Sequence, residues 1–342
     1  MGTAHPPFFL RPLEIKHLFD FSIRLYRSAF TPLLLSMAMV QLPAALLMLP
    51  FFLATGNLMT DLQGMANTGA VPDAAWLFEH VGFGILAMVM LLASLAYHLM
   101  VLPLANLTCA KLAVSSAFGT PIRFDQAFRH ALSRYWPTQV ALATYFLPVL
   151  VLSLLLLIVV AGFSVTGATS GVIAASVFAL LVIPAGMFAT LLLWFRFFPA
   201  LAGILQALEE PRGENIFMQG VAYLRRAYEL TKGYYWRLFG LYMLLVIAIS
   251  FLSRGISGSV ELAYYLGRAL TAKEGAQQVL SSAMSGKVDP WMYGTVMDAA
   301  LLAGVFFAPL MMCFEVLLYL DLRCRKEAFD LVTLLRRSGA RQ

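Results

Sequence analysis

Apolar residues recur at helical spacing along residues 124–135, with polar residues on the opposite side. The apolar stripe consists of Phe124, Ala127, Phe128, Ala131, Leu132 and Tyr135. From Pro137 the charged residues stop, and apolar residues continue to about Ala161, long enough to cross a hydrocarbon core of roughly 30 Å. The pattern therefore predicts an amphipathic helix that leads directly into a membrane span.

Six apolar runs along the chain are long enough to be transmembrane helices. They fall at about 30–54, 83–107, 138–162, 172–195, 236–253 and 296–319. Lys and Arg in short loops are retained on the cytoplasmic side of a membrane. With the N-terminus inside, only four of the 24 basic residues fall in outside segments, and the other twenty are inside. We therefore expect a multi-pass protein of the bacterial cytoplasmic (inner) membrane with both termini cytoplasmic.

The composition agrees with this expectation, because 61% hydrophobic residues, 12% charged residues and a mean hydropathy of +0.80 do not describe a soluble surface. The net charge of +6 does not indicate a nucleic-acid partner. The basic residues lie beside apolar spans, where attraction to anionic lipid headgroups explains them. The expected partners are therefore membrane lipids and other membrane proteins.

Residues 19–43 repeat in residues 124–148 with an offset of 105 positions and no gap. The pairs that share an identical polar residue or proline are Asp20/Asp125, Arg24/Arg129, Ser28/Ser133, Pro32/Pro137 and Pro43/Pro148. Each copy places Asp and Arg at i and i+4, where they can pair on a helix surface. A looser third copy covers 216–250 and carries extra residues around Lys232-Gly233.

This internal repeat divides a single membrane domain, 1–342, into units at about 11–120, 121–213 and 214–342. Each unit is expected to contain an interfacial amphipathic helix, a span out and a span back. The returning spans carry a proline near the inner end, at Pro103, Pro199 and Pro309, after which the helix should continue. The predicted fold is an all-α integral membrane protein with six transmembrane helices and three pseudo-repeated helix–hairpin units.

Three stretches carry a family resemblance: 11–34, 207–240 and 318–331, which read RPLEIKHLFDFSIRLYRSAFTPLL, ALEEPRGENIFMQGVAYLRRAYELTKGYYWRLFG and LYLDLRCRKEAFDL. They resemble a large group of bacterial multi-pass proteins similar to the membrane domain of glycerophosphoryl diester phosphodiesterases. In those relatives the phosphodiesterase activity resides in a separate soluble barrel with paired carboxylates and histidines. The resemblance therefore implies a membrane domain and supplies no catalytic activity.

The residues themselves do not point to an enzyme. No Ser/His/Asp arrangement or phosphate-binding glycine loop is present, and the spacing of Cys109, Cys313 and Cys324 matches no zinc pattern. We expect no cofactor, no metal and no catalytic residue.

Ionisable residues at membrane depth are costly and are usually retained for a function. They are His98, Arg196, Asp298 and Glu315. Asp298 lies near the outer start of the sixth span, which leaves Arg196, Glu315 and His98 as candidate binding residues. Arg196 lies three residues before Pro199, whereas Glu315 lies six residues after Pro309. These positions predict that Arg196 and Glu315 do not pair. Glu315 is expected to face a basic residue of an amphipathic helix, such as Arg129, Arg225 or Arg237.

Three classes of function are considered, and an intramembrane enzyme comes last, because only Arg196, Glu315 and His98 could serve and they match no nucleophile–base pair. The absence of catalytic groups, together with three inside-facing amphipathic helices, favours a non-enzymatic scaffold or lipid-interacting partner of other envelope proteins. The repeats, the prolines within spans and the few buried charges suggest the alternative, a small-solute or lipid transporter or channel.

Overall fold

The computed structural model describes residues 12–68, 74–144, 204–205, 208–209, 213–271 and 290–327. Within these residues the regular structure is entirely helical, without a strand, so the predicted all-α class is confirmed. The helices are α1 (Ile15–Ser28), α2 (Phe30–Thr68), α3 (Ala74–Ala117), α4 (Phe124–Ser133), α5 (Ile216–Thr231), α6 (Tyr235–Thr271) and α7 (Pro290–Glu327). Residues 135–144 are also helical.

Four of these helices contain segments long and apolar enough to cross a membrane, as expected of a multi-pass membrane protein. The segments are Phe30–Asn57, Gly84–Ala117, Tyr235–Leu270 and Leu302–Glu327. They correspond to the first, second, fifth and sixth predicted spans. The third and fourth, at 138–162 and 172–195, lie outside the described residues apart from 138–144.

The helices extend well beyond the apolar runs that predicted them. The fifth run ends at residue 253, whereas α6 continues to Thr271 and has 37 residues. At about 1.5 Å per residue such a helix is about 55 Å long, longer than a hydrocarbon core of roughly 30 Å. Charged residues such as Arg254 and Glu261 end the apolar run, but 254–271 contains no proline, so the helix continues.

The amphipathic helices and the spans that follow them are separated by short breaks. The break between α1 and α2 is Ala29, and the break between α4 and the helical segment 135–144 is Arg134. The two breaks are 105 positions apart, which is the offset of the repeat. Two prolines in register, Pro32 and Pro137, predict bends near those positions, and both breaks fall three residues earlier. The prolines lie instead in the first turn of the following helix, where a missing N–H costs nothing.

The connection between α5 and α6 is longer than these single-residue breaks. It comprises residues 232–234, the stretch in which the sequence suggested extra residues. Gly233 has φ +91°, a conformation that residues with a Cβ rarely adopt. A glycine at this position therefore permits the turn.

The chain forms two compact units. Unit 1 comprises Met1–Ala29, Ala110–Met243 and Met312–Gln342, and unit 2 comprises Phe30–Cys109 and Leu244–Met311. In unit 2, the Tyr97 hydroxyl on α3 donates to the Met39 carbonyl on α2 at 2.6 Å. In unit 2, α2 and α3 are therefore joined by a hydrogen bond from a side chain to the backbone as well as by apolar packing.

The core of unit 1 is formed around α7, which is buried without interruption from Met312 to Leu322. Phe314 packs against Phe19 of α1 with ring centroids 5.0 Å apart. Burial raises the pKa of the Tyr26 hydroxyl on α1, and the nearby Cys313 thiol adds to the rise. A helix buried on all sides has its polar residues inside the protein as well, and these form the site described next.

Candidate functional site

The end of α7 carries two interleaved pairs of opposite charge. In the sequence DLRCRKE, Asp321 and Arg325 are four positions apart, and so are Arg323 and Glu327. Residues at this spacing are neighbours on a helix surface. The structure pairs both, with Arg325 Nε 3.0 Å from Asp321 Oδ1 and Arg323 Nε 2.8 Å from Glu327 Oε2.

The first group, here named the Asp321 cluster, consists of Asp321, Arg325, Arg237 of α6 and the backbone of Leu13. The Asp321 side chain is 1% exposed and accepts hydrogen bonds from Leu13 N at 2.7 Å and Arg237 Nη2 at 3.2 Å. The Leu13 carbonyl accepts from Arg237 Nη2 at 2.8 Å and Arg325 Nη2 at 3.0 Å. The cluster therefore fixes the segment before α1 to the end of α7.

The second group, named the Glu327 cluster, consists of Glu327, Arg323, Arg226 of α5, Glu209 and Tyr319. Arg226 pairs with Glu327 and lies 3.7 Å from Glu209 Oε2. Arg323 Nη1 donates to the Tyr319 hydroxyl at 3.1 Å, which in turn donates to Glu209 Oε1 at 3.4 Å. These contacts bring α5 and the segment at Glu209 onto α7.

The two clusters differ in charge. The Glu327 cluster has two carboxylates and two guanidinium groups, so it is neutral overall. The Asp321 cluster has one carboxylate for the guanidinium groups of Arg237 and Arg325, which leaves one positive charge without a carboxylate in the cluster. Charges removed from water are tolerated when they are paired and hydrogen-bonded, so the excess distinguishes the Asp321 cluster.

An open depression of about 430 Å³ adjoins the Asp321 cluster. It is lined by Pro12, Leu13, Glu14, Ile15, Lys16, Arg237 and Arg325. Lys16 lies at its rim, 74% exposed, with Nζ 3.3 Å from Glu14 Oε2. Three cations and one carboxylate therefore line this surface, and two of the cations also bind the buried Asp321 carboxylate.

The surface of unit 1 presents both aromatic and basic side chains. Trp136 and Trp236, each the second residue after a helix break, are 62% and 76% exposed. Phe217, near the start of α5, is 62% exposed. The side chain of Arg123, directly before α4, is 84% exposed. Exposed amphipathic rings and cations are typical of surfaces at the headgroup level of a membrane.

The amphipathic stripe predicted for α4 is only partly buried. Ala127 and Ala131 are fully buried, and the rings of Phe124 and Phe128 stack with centroids 5.8 Å apart. Leu132 is 50% exposed, although the pattern placed it in the buried stripe. The i,i+4 pairing expected on these helices forms between Asp20 and Arg24 at 2.9 Å, whereas Asp125 pairs with Arg123 at 3.4 Å.

Of the predicted binding residues, Glu315 is buried in α7, and the partner that the structure gives it is not one of the expected cations. Its carboxyl group is hydrogen-bonded to the Tyr242 hydroxyl of α6. Arg237 pairs with Asp321 instead, and Arg225 pairs with Glu229 of its own helix. A tyrosine hydroxyl meets the hydrogen-bonding requirement of a buried carboxyl group without burying a second charge.

The other two predicted residues are His98 and Arg196. His98 is half-buried in α3, within unit 2. Arg196 lies outside the described residues, so its predicted separation from Glu315 stays a prediction. The sequence analysis gives no site role to Asp321 or Arg325 and names Arg237 only as a possible partner of Glu315, although the i,i+4 spacing within DLRCRKE is a visible signal.

The cysteines give no sign of a metal centre in the described part of the chain. Cys109, Cys313 and Cys324 are free and buried. Within the described ranges, no three His, Cys, Asp or Glu side chains are grouped so that they could hold a metal ion.

Comparison with known proteins gives no match to a family model, to a curated protein or to a solved structure.

Proposed function

We propose that this chain is a non-enzymatic multi-pass membrane protein that acts as a scaffold or lipid-interacting partner of other membrane proteins. The observation that carries the proposal is that unit 1 exposes both aromatic and basic side chains. Trp136, Trp236 and Phe217 are well exposed, and so is the cation Arg123. Such a surface suits a lipid headgroup layer or the amphipathic surface of another membrane protein.

The buried charges of unit 1 support the same proposal. In the Asp321 and Glu327 clusters they bind one chain segment to another, from Leu13 to α7 and from α5 to α7. Networks that are largely satisfied internally hold helices in place and supply no nucleophile paired with a base. Unit 1 thus has the properties of a fixed platform.

The proposal includes the finer architecture read from the sequence. We place six spans in the bacterial inner membrane, three repeated units, and unit 1 with both termini on the cytoplasmic side. Breaks at Ala29 and Arg134, 105 positions apart, support the repeat. The resemblance of residues 11–34, 207–240 and 318–331 to the membrane domain of glycerophosphoryl diester phosphodiesterases belongs to the same proposal.

Site-specific photo-crosslinking in native membranes tests the function. A photoreactive amino acid in place of Phe217 should give discrete crosslinks to a neighbouring membrane protein or to lipid. Phe251 is the matched control, because it is also a phenylalanine, is 75% exposed and lies within the apolar segment of α6. Identical crosslinks from both positions, or none from Phe217, would contradict a docking role for the unit 1 surface.

A transporter or channel is the second candidate, and one atom in unit 2 favours it. Gln41 Oε1 is buried and has no hydrogen-bond partner among the described residues. Its amide carbon would lie 3.4 Å from a Cβ built on Gly304. A buried polar atom without a partner is costly, and a passing solute or water could satisfy it. Reconstituted vesicles should then show a solute flux that Gln41→Leu abolishes, whereas a scaffold shows no flux in either form.

A further inference from the structure

We propose that the depression beside the Asp321 cluster is a binding site for a phosphate group, held by Arg237, Arg325 and Lys16. The inference deepens the lipid-interacting role proposed above and rests on it. An anionic lipid headgroup and a soluble phosphate present the same chemistry to these side chains, and the experiment below separates the two sources.

The charge of the cluster is the first argument. Asp321 can balance only one of the two guanidinium groups that bind it, and the Leu13 carbonyl contributes a dipole and no net charge. The lining residues Arg237, Arg325, Lys16 and Glu14, counted together with the adjoining Asp321, carry a net charge of one positive unit. An anion bound there would balance it. The neutral Glu327 cluster on the same helix provides the contrast.

The hydrogen-bond donors are the second argument. Arg237 uses Nη2 for its contacts with Asp321 and Leu13, and Arg325 uses Nε and Nη2. Neither Nη1 group donates to any residue that the structure describes. A guanidinium group has five N–H donors, and its planar arrangement matches two oxygens of a phosphate. The donors that remain thus suit the proposed ligand.

The shape of the site is the third argument. A depression of about 430 Å³ can hold a phosphate and a small esterified group, and its open form leaves room for the rest of a larger molecule. The Glu14 carboxylate opposes an anion, but it is 70% exposed and bound to Lys16. Exposed ion pairs are weak, so Lys16 can turn to a phosphate at little cost.

The test uses the full-length protein purified in detergent, with the thermal unfolding midpoint followed during titration at constant ionic strength. The probes are a short-chain phosphatidylglycerol, the zwitterionic short-chain phosphatidylcholine, and sodium phosphate. The variants are Lys16→Gln, Glu14→Gln and the control Arg225→Gln. Arg225 is 81% exposed and pairs with Glu229 at 3.3 Å, the same distance at which Lys16 pairs with Glu14. Arg225 does not line the depression, so its substitution serves as the control.

Phosphatidylglycerol should raise the midpoint saturably, and phosphatidylcholine should not. Lys16→Gln should increase the half-saturating concentration about three- to fivefold, as expected for one exposed charge contact, and Glu14→Gln should decrease it. Arg225→Gln should leave it unchanged. Lys16 and Glu14 lie at the rim, so their substitution should leave the fold intact. Substitution of Arg237 or Arg325 could instead prevent folding and would obscure the result.

Three outcomes would count against the proposal. If sodium phosphate gave the full response and phosphatidylglycerol added nothing, the phosphate site would stand. The lipid would then be ruled out as the source of the phosphate group. No saturable response to either anion would overturn the site, and so would equal effects of Lys16→Gln and Arg225→Gln. Because Phe217 does not line the depression, crosslinks from that position would persist in the latter two cases if the scaffold function itself is correct.

Discussion

The backbone N–H of Leu13 donates to the Asp321 carboxylate at 2.7 Å, across 308 positions of the chain. The Leu13 carbonyl accepts from Arg237 and Arg325, the same two side chains that bind that carboxylate. One residue before the first helix is therefore held through both of its backbone polar groups. The contact ties the stability of unit 1 to the Asp321 carboxylate.

Asp321→Asn should lower the free energy of unfolding by about 3–5 kcal/mol, because it leaves two guanidinium groups partly buried without a carboxylate. Asp20→Asn, the same chemical change in the exposed pair with Arg24, should cost less than about 0.5 kcal/mol. Thermal or denaturant unfolding in detergent measures both. Equal losses would show that the Asp321 cluster contributes no more than an exposed ion pair.

Gly220→Ala should destabilise unit 1 by about 1–3 kcal/mol, because its Cβ would be 2.9 Å from Pro137 O and 3.0 Å from Ala141 N. These are backbone atoms of the helical segment 135–144 and cannot rotate away. Gly240→Ala in α6 is the control, with nothing within 4 Å of its Cβ. It should be neutral or stabilise by up to about 1 kcal/mol through helix propensity. A neutral Gly220→Ala in the same unfolding assay would mean that α5 is not closely packed on that segment.

Tyr242→Phe should cost about 1–3 kcal/mol, because it leaves the buried Glu315 carboxyl group without its hydroxyl partner. In a Glu315→Leu background the same change should cost much less, since no carboxyl group remains to be satisfied. The difference between the two costs is the coupling that a double-mutant cycle measures. Additive effects would show that the two groups are independent in solution.

Cysteine labelling tests the proposed orientation. Asn67→Cys and Ser281→Cys should react with a membrane-impermeant maleimide from outside the cell, and Lys232→Cys only after the membrane is opened. The native thiols should stay silent while the protein is folded, since Cys109 and Cys313 are fully buried and Cys324 is 6% exposed. Reaction of Lys232→Cys with the reagent from outside the cell would show that the topology is the opposite of the one proposed.

Local features of the fold were readable from the sequence because they depend on neighbouring residues. The offset of 105 predicted equivalent helix ends, and the Ser28 hydroxyl donates to the Leu25 carbonyl at 2.8 Å as the Ser133 hydroxyl does to the His130 carbonyl at 2.7 Å. Apolar periodicity similarly placed the amphipathic helices. In both cases the interacting residues lie within one or two helical turns.

The site was less predictable because its contacts are distant in sequence. The spacing of Asp321 and Arg325 was visible, but nothing local indicates that Arg237 and the Leu13 backbone complete the cluster. A buried carboxylate such as Glu315 leads one to expect a cation as its partner, whereas a hydroxyl group of α6 fulfils that role. Sequence spacing identifies partners on one helix and leaves those on other helices open.

The bond between Leu13 and Asp321 also determines when folding can finish during synthesis. The ribosome releases residue 13 about three hundred residues before residue 321, so α1 must wait for α7 before its start is fixed. Phe19 waits in the same way for Phe314. Meanwhile the apolar face of α1 needs another cover, and the membrane surface beside the translocation channel can provide one. Helix α1 is thus made long before its start is fixed, and its amphipathic character protects it during that interval.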